Sequence, residues 1–317
     1  MMISKACPRE TYGKALLEAA RTDERITALD ADLSGSTMSC LLRQEFPERF
    51  FEMGIAEQNM VSVAAGMSLT GSIPFVHSFS MFITGRAFEQ VRQSVALPKA
   101  NVKLVGSSCG FSDFGDGATH QSLEDAAIMR AIPNMTVLIP MDPNDVRAAV
   151  AEALAIDGPV YIRLTRSEME FIDVPADYSI REPFLLRDGS DVAIVANGSM
   201  TSLALGASQK LASEGIAASV INVSCLKPLA AEPLFSLIEG TAGIVTVEEH
   251  SVVGGLGSAI LEALAARPKP LAMVGALDVF GQSAWSQDEL LNHYGLTVDT
   301  ICSRVRSLVE GRTIGHA

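Results

Sequence analysis

Residues 50–59 read FFEMGIAEQN, and the other predicted elements are arranged around this stretch. It predicts a short apolar strand over residues 50–53, a tight turn at Gly54 and a helix over residues 57–70. The helix is almost free of charge, yet Glu57 lies in its first turn. The helix dipole by itself stabilises an acid at this position. The alternative is a buried carboxylic acid that shares a proton with a nitrogen atom of a ligand.

Short apolar strands alternate with helices on both sides of this stretch. One example is the helix predicted over Pro143–Ala155, which is followed by an apolar strand at residues 160–164. This alternation is typical of a mostly parallel sheet that helices cover on both faces. It stops over residues 167–188, which we interpret as a linker, and then starts again. The sequence therefore predicts an α/β protein with two doubly wound, mostly parallel-sheet domains, residues 1–166 and an independent unit of residues 189–317.

The composition excludes several classes of protein. The 317 residues carry a formal net charge of −13, which argues against nucleic acid as a partner because phosphate contacts need a basic face. The five cysteines are scattered without a CxxC pair, so we interpret them as reduced residues of a cytoplasmic protein. No apolar run reaches the roughly 18 residues of a membrane span. The N-terminus has no apolar run typical of a signal peptide.

Residues 54–60, GIAEQNM, resemble the signature of the pyrimidine-binding domain of thiamine-diphosphate enzymes. The families most similar in this region are transketolases, 1-deoxyxylulose-5-phosphate synthases and the beta chains of 2-oxoacid dehydrogenases. In these families the matching glutamate hydrogen-bonds the aminopyrimidine ring of the cofactor. The resemblance therefore implies that Glu57 is both a cofactor-binding and a catalytic residue.

Two phenylalanines, Phe79 and Phe82, lie at the start of a long helix predicted over residues 81–97. An isolated aromatic pair of this kind is most often part of the core. Transketolases carry aromatic residues here that pack against the aminopyrimidine ring, so the resemblance implies that both bind the cofactor and that Phe82 stacks on it. It also places Asp32 near the cofactor. His77 is a further residue that could reach this cleft.

The loop of residues 106–121 ends in FGDGATHQ, with Asp116 and His120 four positions apart. Taken alone, His120 is equally consistent with a polar residue at the start of a helix. The segment resembles the D-G-x-T-H-Q motif of transketolases, in which the histidine contacts the carbonyl oxygen of the sugar donor and the aspartate binds a sugar hydroxyl. A second family histidine, earlier in the loop, has no counterpart, because residues 107–109 read SSC.

Two further motifs receive no catalytic role. The GDG at residues 115–117 also occurs in the metal- and diphosphate-binding motif of thiamine-diphosphate enzymes, but there a pair of asparagines follows, and Asn134 stands alone here. We therefore predict no metal site in this chain. Residues 248–257, EEHSVVGGLG, resemble a part of the transketolase C-terminal domain that mainly builds the dimer.

Three positions match the phosphate and sugar pocket of transketolases, namely Arg9 in PRETYGKA, Ser36 in ADLSGS and Arg166 in RLTRSE. Each of them could also be an ordinary surface residue. Arg166 directly follows the last predicted strand of the first domain, where open α/β sheets bind ligands. Guanidinium groups suit a sugar phosphate because they present a fork of donors. The resemblance thus implies that these three residues bind substrate together with Asp116 and His120.

The resemblance covers nearly the whole chain, but only the C-terminal half of a full transketolase. It implies the C-terminal subunit of a split transketolase, which transfers a two-carbon ketol unit between sugar phosphates. Thiamine diphosphate would be shared with an N-terminal subunit that supplies the diphosphate site and most ligands of a Mg²⁺ or Ca²⁺ ion, in an α2β2 heterotetramer. The alternatives are a beta subunit of a 2-oxoacid dehydrogenase or related enzyme, and a non-catalytic scaffold that would have lost Glu57 or His120.

Overall fold

The computed structural model describes residues 4–311 and shows an α/β protein. In the first half of the chain, strands and helices alternate. The strands are β1 (Lys5–Ala6), β2 (Ile26–Asp30), β3 (Phe50–Glu52), β4 (Ile73–Phe79), β5 (Lys103–Ser107), β6 (Thr136–Leu138), β7 (Val160–Arg163) and β8 (Met169–Glu170). The helices are α1 (Pro8–Thr22), α2 (Ser34–Thr37), α3 (Cys40–Glu45), α4 (Glu57–Ser68), α5 (Phe88–Gln90), α6 (Asp125–Ala131) and α7 (Pro143–Ala155).

The second half repeats the alternation. Its strands are β9 (Phe184–Arg187), β10 (Val192–Ala196), β11 (Ala218–Asn222), β12 (Cys225–Lys227), β13 (Ile244–Ser251) and β14 (Leu271–Ala276). Its helices are α8 (Met200–Ala212), α9 (Ala231–Ile238), α10 (Leu256–Ala263), α11 (Gln287–His293) and α12 (Val298–Val309). Within residues 4–311, none of the helices combines the length and the apolar character that crossing a membrane requires.

Two mostly parallel sheets form the centres of the two halves. In the first sheet, six strands of the first half run parallel in the order β6-β7-β5-β4-β2-β3. Their carboxyl ends lie at one edge, so the loops that follow them converge there. The second sheet has the order β14-β13-β10-β11-β9, in which only β9, from the predicted linker, is antiparallel. This architecture confirms the predicted fold class.

One strand of the second half crosses into the first sheet. β12 pairs antiparallel with β6, with Cys225 opposite Leu138, and extends the sheet to seven strands. The ammonium group of Lys227 donates hydrogen bonds to the carbonyl oxygens of Arg130 (2.8 Å) and Ile132. A segment of the second unit therefore completes the sheet of the first. Without β12, the strand β6 would be an open edge with unpaired peptide groups.

The helix predicted over residues 81–97 is present, but it is not a regular α-helix. Wide turns at Phe82–Arg86 and Val91–Ala96 flank α5, and their hydrogen bonds reach five residues back instead of four. A Cβ atom at Gly85 would lie 3.1 Å from the side chain of Met81, so glycine suits the first wide turn. Wide turns of this kind are often found at functional sites.

A buried acid connects the two halves of the chain. Glu249 in β13 accepts hydrogen bonds from the amide of Phe111 (2.7 Å), the hydroxyl of Ser199 (2.6 Å) and the side-chain amide of Gln287 (2.6 Å). Phe111 belongs to the first half, whereas the other two donors belong to the second. Burial raises the pKa of Glu249, and these donors act against that shift. The EEH motif therefore joins two parts of one chain.

A buried ion pair lies beside this junction. Arg163 Nε donates to a carboxylate oxygen of Asp125 (2.8 Å), and its Nη2 donates to the carbonyl oxygen of Glu249 (3.0 Å). The hydroxyl of Tyr161 donates to the same oxygen of Asp125 (2.6 Å). Although burial alone raises the pKa of Asp125, Arg163, together with His250 and Tyr161, holds this pKa below its usual value. Asp125 is thus a buried carboxylate that depends on its cation.

Candidate active site

The carboxyl edge of the first sheet gathers most of the residues that the sequence singles out. Parallel strands end at the same edge, so side chains that follow different strands become neighbours there. The edge carries Asp32 and Ser36 after β2, Glu57 after β3, Phe82 after β4, Asp116 and His120 after β5, and Arg166 after β7.

Glu57 is the first residue of α4, and only 1% of it is exposed. One carboxylate oxygen accepts a hydrogen bond from the hydroxyl of Ser78 (3.0 Å), and the other accepts one from Arg86 Nη1 (2.7 Å). The side chain of Arg86 is 43% exposed, so this ion pair connects the buried acid with the surface. Glu57 is therefore not a solvated acid at a helix start but a buried carboxylate with specific partners.

The rings of Phe79, Phe82 and His120 form one group, which we call the aromatic cluster. The two phenylalanines are stacked with their centres 6.2 Å apart, and His120 contacts both edge-on at 6.1 and 5.1 Å. The guanidinium of Arg86 lies 4.4 Å from the centre of the Phe82 ring while it donates to Glu57. The acid, the aromatic pair and the histidine singled out in the sequence thus come together at one place.

The second half of the chain holds the loop of residues 106–121 in position. Gln121 donates a hydrogen bond from its side-chain amide to the carbonyl oxygen of Gln282 (3.0 Å). The amide of Ala284 donates to the carbonyl oxygen of Phe114 (2.8 Å). Because Gln121 directly follows His120 in the chain, these contacts fix the part of the loop that carries the histidine.

Arg166 forms an ion pair with Asp113, an acid that the sequence analysis does not single out. Arg166 Nη1 lies 3.1 Å from Asp113 Oδ1, and the arginine side chain is 41% exposed whereas that of the aspartate is 1% exposed. Burial raises the pKa of Asp113, and the neighbouring Asp116 raises it too, against the opposing effect of Arg166. Two of the predicted substrate residues therefore lie beside one buried carboxyl group.

Arg9 and Ser36 are in direct contact, since Arg9 Nη1 donates to the carbonyl oxygen of Ser36 (2.7 Å). The pairing of β1 with β8 places Ala6 opposite Met169. These paired residues are close in sequence to Arg9 and Arg166 respectively, so the pairing brings both arginines to the same region. Among residues 4–311, no hydrogen bond or ion pair joins Arg166 to the other two positions directly.

His77 does not reach the cleft, contrary to what the sequence left open. It is buried, with its Nδ1 2.9 Å from the carbonyl oxygen of Leu29 and its Nε2 2.7 Å from the hydroxyl of Tyr12. The carbonyl oxygen requires a proton on Nδ1, so Tyr12 donates to Nε2, and burial lowers the pKa of His77. Asp32 is exposed, and its amide donates to a carboxylate oxygen of Glu52 (2.8 Å). Its contact with the cofactor stays a prediction.

Ser78, Arg86 and Asp113 are the residues of this site that the sequence analysis misses. Arg86 follows Phe82 by four positions, and two side chains at this spacing share one face of a helix. That signal could have identified it. Asp113 gives no local signal, because its partner Arg166 lies 53 positions later in the chain.

Sequence models of two domain families match this chain. The pyrimidine-binding domain of transketolase matches residues 5–170, and the C-terminal domain of transketolase matches residues 184–301. The first match contains all candidate site residues that the sequence analysis singles out, whereas Gln282 and Ala284, which hold the loop of residues 106–121, lie in the second match.

Whole-chain comparisons give the same pattern. The chain is 43% identical over 302 residues to a protein of Methanocaldococcus jannaschii named as a transketolase C-terminal section, over 94% of both chains. It is 44% identical over 304 residues to a 6-deoxy-6-sulfo-D-fructose transketolase subunit of Clostridium sp. (strain MSTE9), over 95% of this chain and 94% of that protein. The solved structure of a split-gene transketolase, described as an inactive β4 tetramer, is similar with a TM-score of 0.89 and 46% identity, over 97% of this chain and 99% of that one.

Proposed function

Because the chain belongs to the transketolase family, we propose that it is the C-terminal subunit of a split transketolase, which transfers a two-carbon ketol unit between sugars. The observation that carries this proposal is the buried carboxylate of Glu57 beside the Phe82 ring at the carboxyl edge of the first sheet. Burying a carboxylate costs free energy. The buried acids Glu249 and Asp125 are held by donors that connect parts of the fold, whereas Glu57 pairs with a 43% exposed arginine at the edge where open α/β sheets bind ligands. Two relatives matched over 94% of their own length are named as a C-terminal section and as a subunit, which supports an N-terminal partner. We propose that the two subunits form an α2β2 assembly.

The residues present fit the aminopyrimidine ring of thiamine diphosphate. The guanidinium of Arg86 is flat and bears N–H donors, and it already lies on Phe82 and donates to Glu57. An aminopyrimidine is also flat and rich in nitrogen, so it can use the same ring face and the same carboxylate once Arg86 moves aside. Arg86 is exposed enough to move into solvent. We assign the pyrimidine to Glu57, Phe82 and Phe79, with Asp32 at the same edge.

We assign the diphosphate and its metal ion to the N-terminal subunit. In the part of this chain that the structure describes, no three His, Cys, Asp or Glu side chains are grouped so that they could hold a metal ion. We propose that a Mg²⁺ or Ca²⁺ ion takes its ligands mainly from the partner. All five cysteines are free thiols, which suits the reducing cytoplasm in which we place the enzyme.

When bound, thiamine diphosphate supplies the nucleophilic carbon that accepts a two-carbon unit from a ketose and passes it to an aldose. Glu57 holds a proton at the pyrimidine, and Ser78 orients the carboxyl group by donating to one of its oxygens. To His120, whose ring contacts Phe79 and Phe82, we assign the exchange of a proton with the carbonyl oxygen of the donor sugar. Asp116 is exposed in the same loop and can accept a hydrogen bond from a sugar hydroxyl.

We expect the isolated chain to show no two-carbon transfer and to bind thiamine diphosphate weakly, because the diphosphate and metal site belongs to the partner. Mixing the chain with its N-terminal subunit should restore both properties. Transfer is measured in a coupled assay with a ketose phosphate and an aldose phosphate, and cofactor binding by calorimetry. The N-terminal subunit alone is the control. Turnover by this chain alone at the rate of the mixture would refute the split-enzyme proposal.

The far end of the sugar is the end that lies away from its reacting carbonyl group. We place it between the pair Arg9 and Ser36 on one side and Arg166 on the other. Both arginines come from segments that β1 and β8 hold together. A guanidinium binds phosphate through several N–H donors, so these residues suit a sugar phosphate.

Arg166→Ala should weaken the binding of a phosphorylated substrate by about 1.5–3 kcal/mol, the usual contribution of a hydrogen bond to a charged group. An unphosphorylated sugar should be nearly unaffected. The measurement is kcat/KM of the complete complex on a ketose phosphate and on its unphosphorylated analogue. Arg267→Ala is the matched control, since Arg267 pairs with Glu232 on the surface of the second half. Equal losses on both substrates would show that Arg166 has only a structural role.

A further inference from the structure

The ion pair of Arg166 places an acid where a phosphate-binding site needs positive charge. Asp113 Oδ1 lies 3.1 Å from Arg166 Nη1, and the amide of Arg166 also donates to the hydroxyl of Ser112 (3.1 Å). Asp113 and its neighbour Ser112 thus hold both the side chain and the main chain of Arg166. A buried acid beside a guanidinium reduces the attraction that an incoming anion experiences.

Two oxygen atoms next to this ion pair, Asp113 Oδ2 and the hydroxyl oxygen of Ser108, are buried and form no well-aligned hydrogen bond within residues 4–311. The hydroxyl of Ser108 and the carboxyl group of Asp116 both lie close enough to Asp113 to interact with its carboxyl group. Ser108 has a φ of 57°, a left-handed conformation that is uncommon for serine. A buried acceptor and a buried hydroxyl that interact with each other only in poor alignment can exchange that contact for hydrogen bonds to a ligand that carries hydroxyl groups.

We propose that Asp113 is a specificity-determining residue, which shifts the preference of this site from sugars with a phosphate at the far end toward sugars whose far end is an uncharged polyol. This inference rests on the proposed two-carbon transfer and concerns the part of the site beside Arg166. A sugar hydroxyl donates its proton to a carboxylate, whereas a phosphate dianion has no proton to donate and is repelled. The hydroxyl of Ser108 can form a hydrogen bond with a second hydroxyl group of the sugar.

Arg166 and Asp113 have opposite effects on the preference for phosphorylated over unphosphorylated sugars. The guanidinium has several N–H donors, and only one of them points to Asp113 at hydrogen-bond distance. The others can still bind a phosphate, so the loss of Arg166 weakens the binding of a phosphorylated substrate. The loss of the negative charge of Asp113 should strengthen that binding.

The test compares Asp113→Asn with the wild type in the complete complex, with xylulose 5-phosphate and unphosphorylated xylulose as donors. Asparagine keeps the size of the side chain and removes its charge. We expect the ratio of kcat/KM for the phosphorylated over the unphosphorylated donor to rise about tenfold or more. Inorganic phosphate should inhibit the variant at lower concentrations. The control is Glu214→Gln, which removes an acid paired with Arg306 in the second half of the chain. It should change neither quantity.

Asp113→Ser removes the same charge with a smaller side chain and serves as a second variant if asparagine disturbs the fold. A ratio that stays within about twofold of the wild type, or falls, in a folded variant overturns the proposal. Absence of transfer by the wild-type complex would instead refute the proposed function. The affinity for inorganic phosphate, measured by calorimetry on wild type and variants, would still decide the role of Asp113.

Discussion

A complex that contains Glu57→Gln is expected to lose two-carbon transfer by about 10²–10⁴-fold while it still assembles. Glutamine has nearly the same shape as glutamate and can still accept the hydrogen bond from Ser78, which is 3.0 Å long in the wild type. It cannot hold a proton at the pyrimidine in the way that a carboxylic acid can. The loss should therefore appear in kcat and in kcat/KM, and not in the affinity between the subunits.

Steady-state transfer by the reconstituted complex measures this effect, and gel filtration verifies assembly. Glu48→Gln is the matched control, because Glu48 is an exposed acid that pairs only loosely with Arg49, at 3.8 Å. It should leave the rate close to that of the wild type. If the Glu57→Gln complex also worked at a near-normal rate, another group would have to perform this proton transfer.

Replacement of Arg163 by methionine is expected to lower the free energy of unfolding by about 3–5 kcal/mol. Methionine fills most of the space but leaves Asp125, which is 0% exposed, without its cation. The change also removes the hydrogen bond from Arg163 to the carbonyl oxygen of Glu249 in the second half. Chemical denaturation of the chain at a fixed protein concentration measures the loss.

The double variant Arg163→Met, Asp125→Asn tests whether the unpaired charge causes the loss. It should recover much of the stability, because no buried charge then lacks a partner. Arg306→Ala is the control, since its partner Glu214 lies at the surface and the pair should contribute far less. A loss below about 1 kcal/mol in the single variant would contradict this account.

The free energy of unfolding of the Arg163→Met variant should change with pH in a definite direction. Without Arg163, burial is the largest remaining influence on the pKa of Asp125 and raises it, against the smaller opposing effects of His250 and Tyr161. The folded state then binds a proton more tightly than the unfolded state, so stability falls as the pH rises above the unfolded pKa. The deficit relative to the wild type should be larger at pH 7 than at pH 5.

The strand, turn and helix around Glu57 could be predicted from the sequence because their signals are local. The predicted strand at residues 50–53 and helix at residues 57–70 correspond to β3 and α4, with ends that differ by at most two residues. The predicted bounds of α7 agree with the structure, since Pro143 begins the helix and Asp142 caps it through the amide of Asp145. Turn and cap chemistry of this kind depends on neighbours in the chain.

The remaining features depend on residues far apart in sequence. Arg86 pairs with Glu57 across 29 positions, and Arg166 pairs with Asp113 across 53. β12 has only three residues, too few to show the alternation by which a strand is identified. The wide turns around α5 likewise have no periodic signal that distinguishes them from an α-helix.

The crossing of β12 has a consequence for how this chain can evolve. These three residues come from the second half but complete the sheet that carries Glu57. A gene rearrangement that separated the halves would remove the edge strand of that sheet and leave β6 open to pairing with other chains. We therefore expect gene fusions, splits and exchanges that involve this subunit to keep both halves of the chain together.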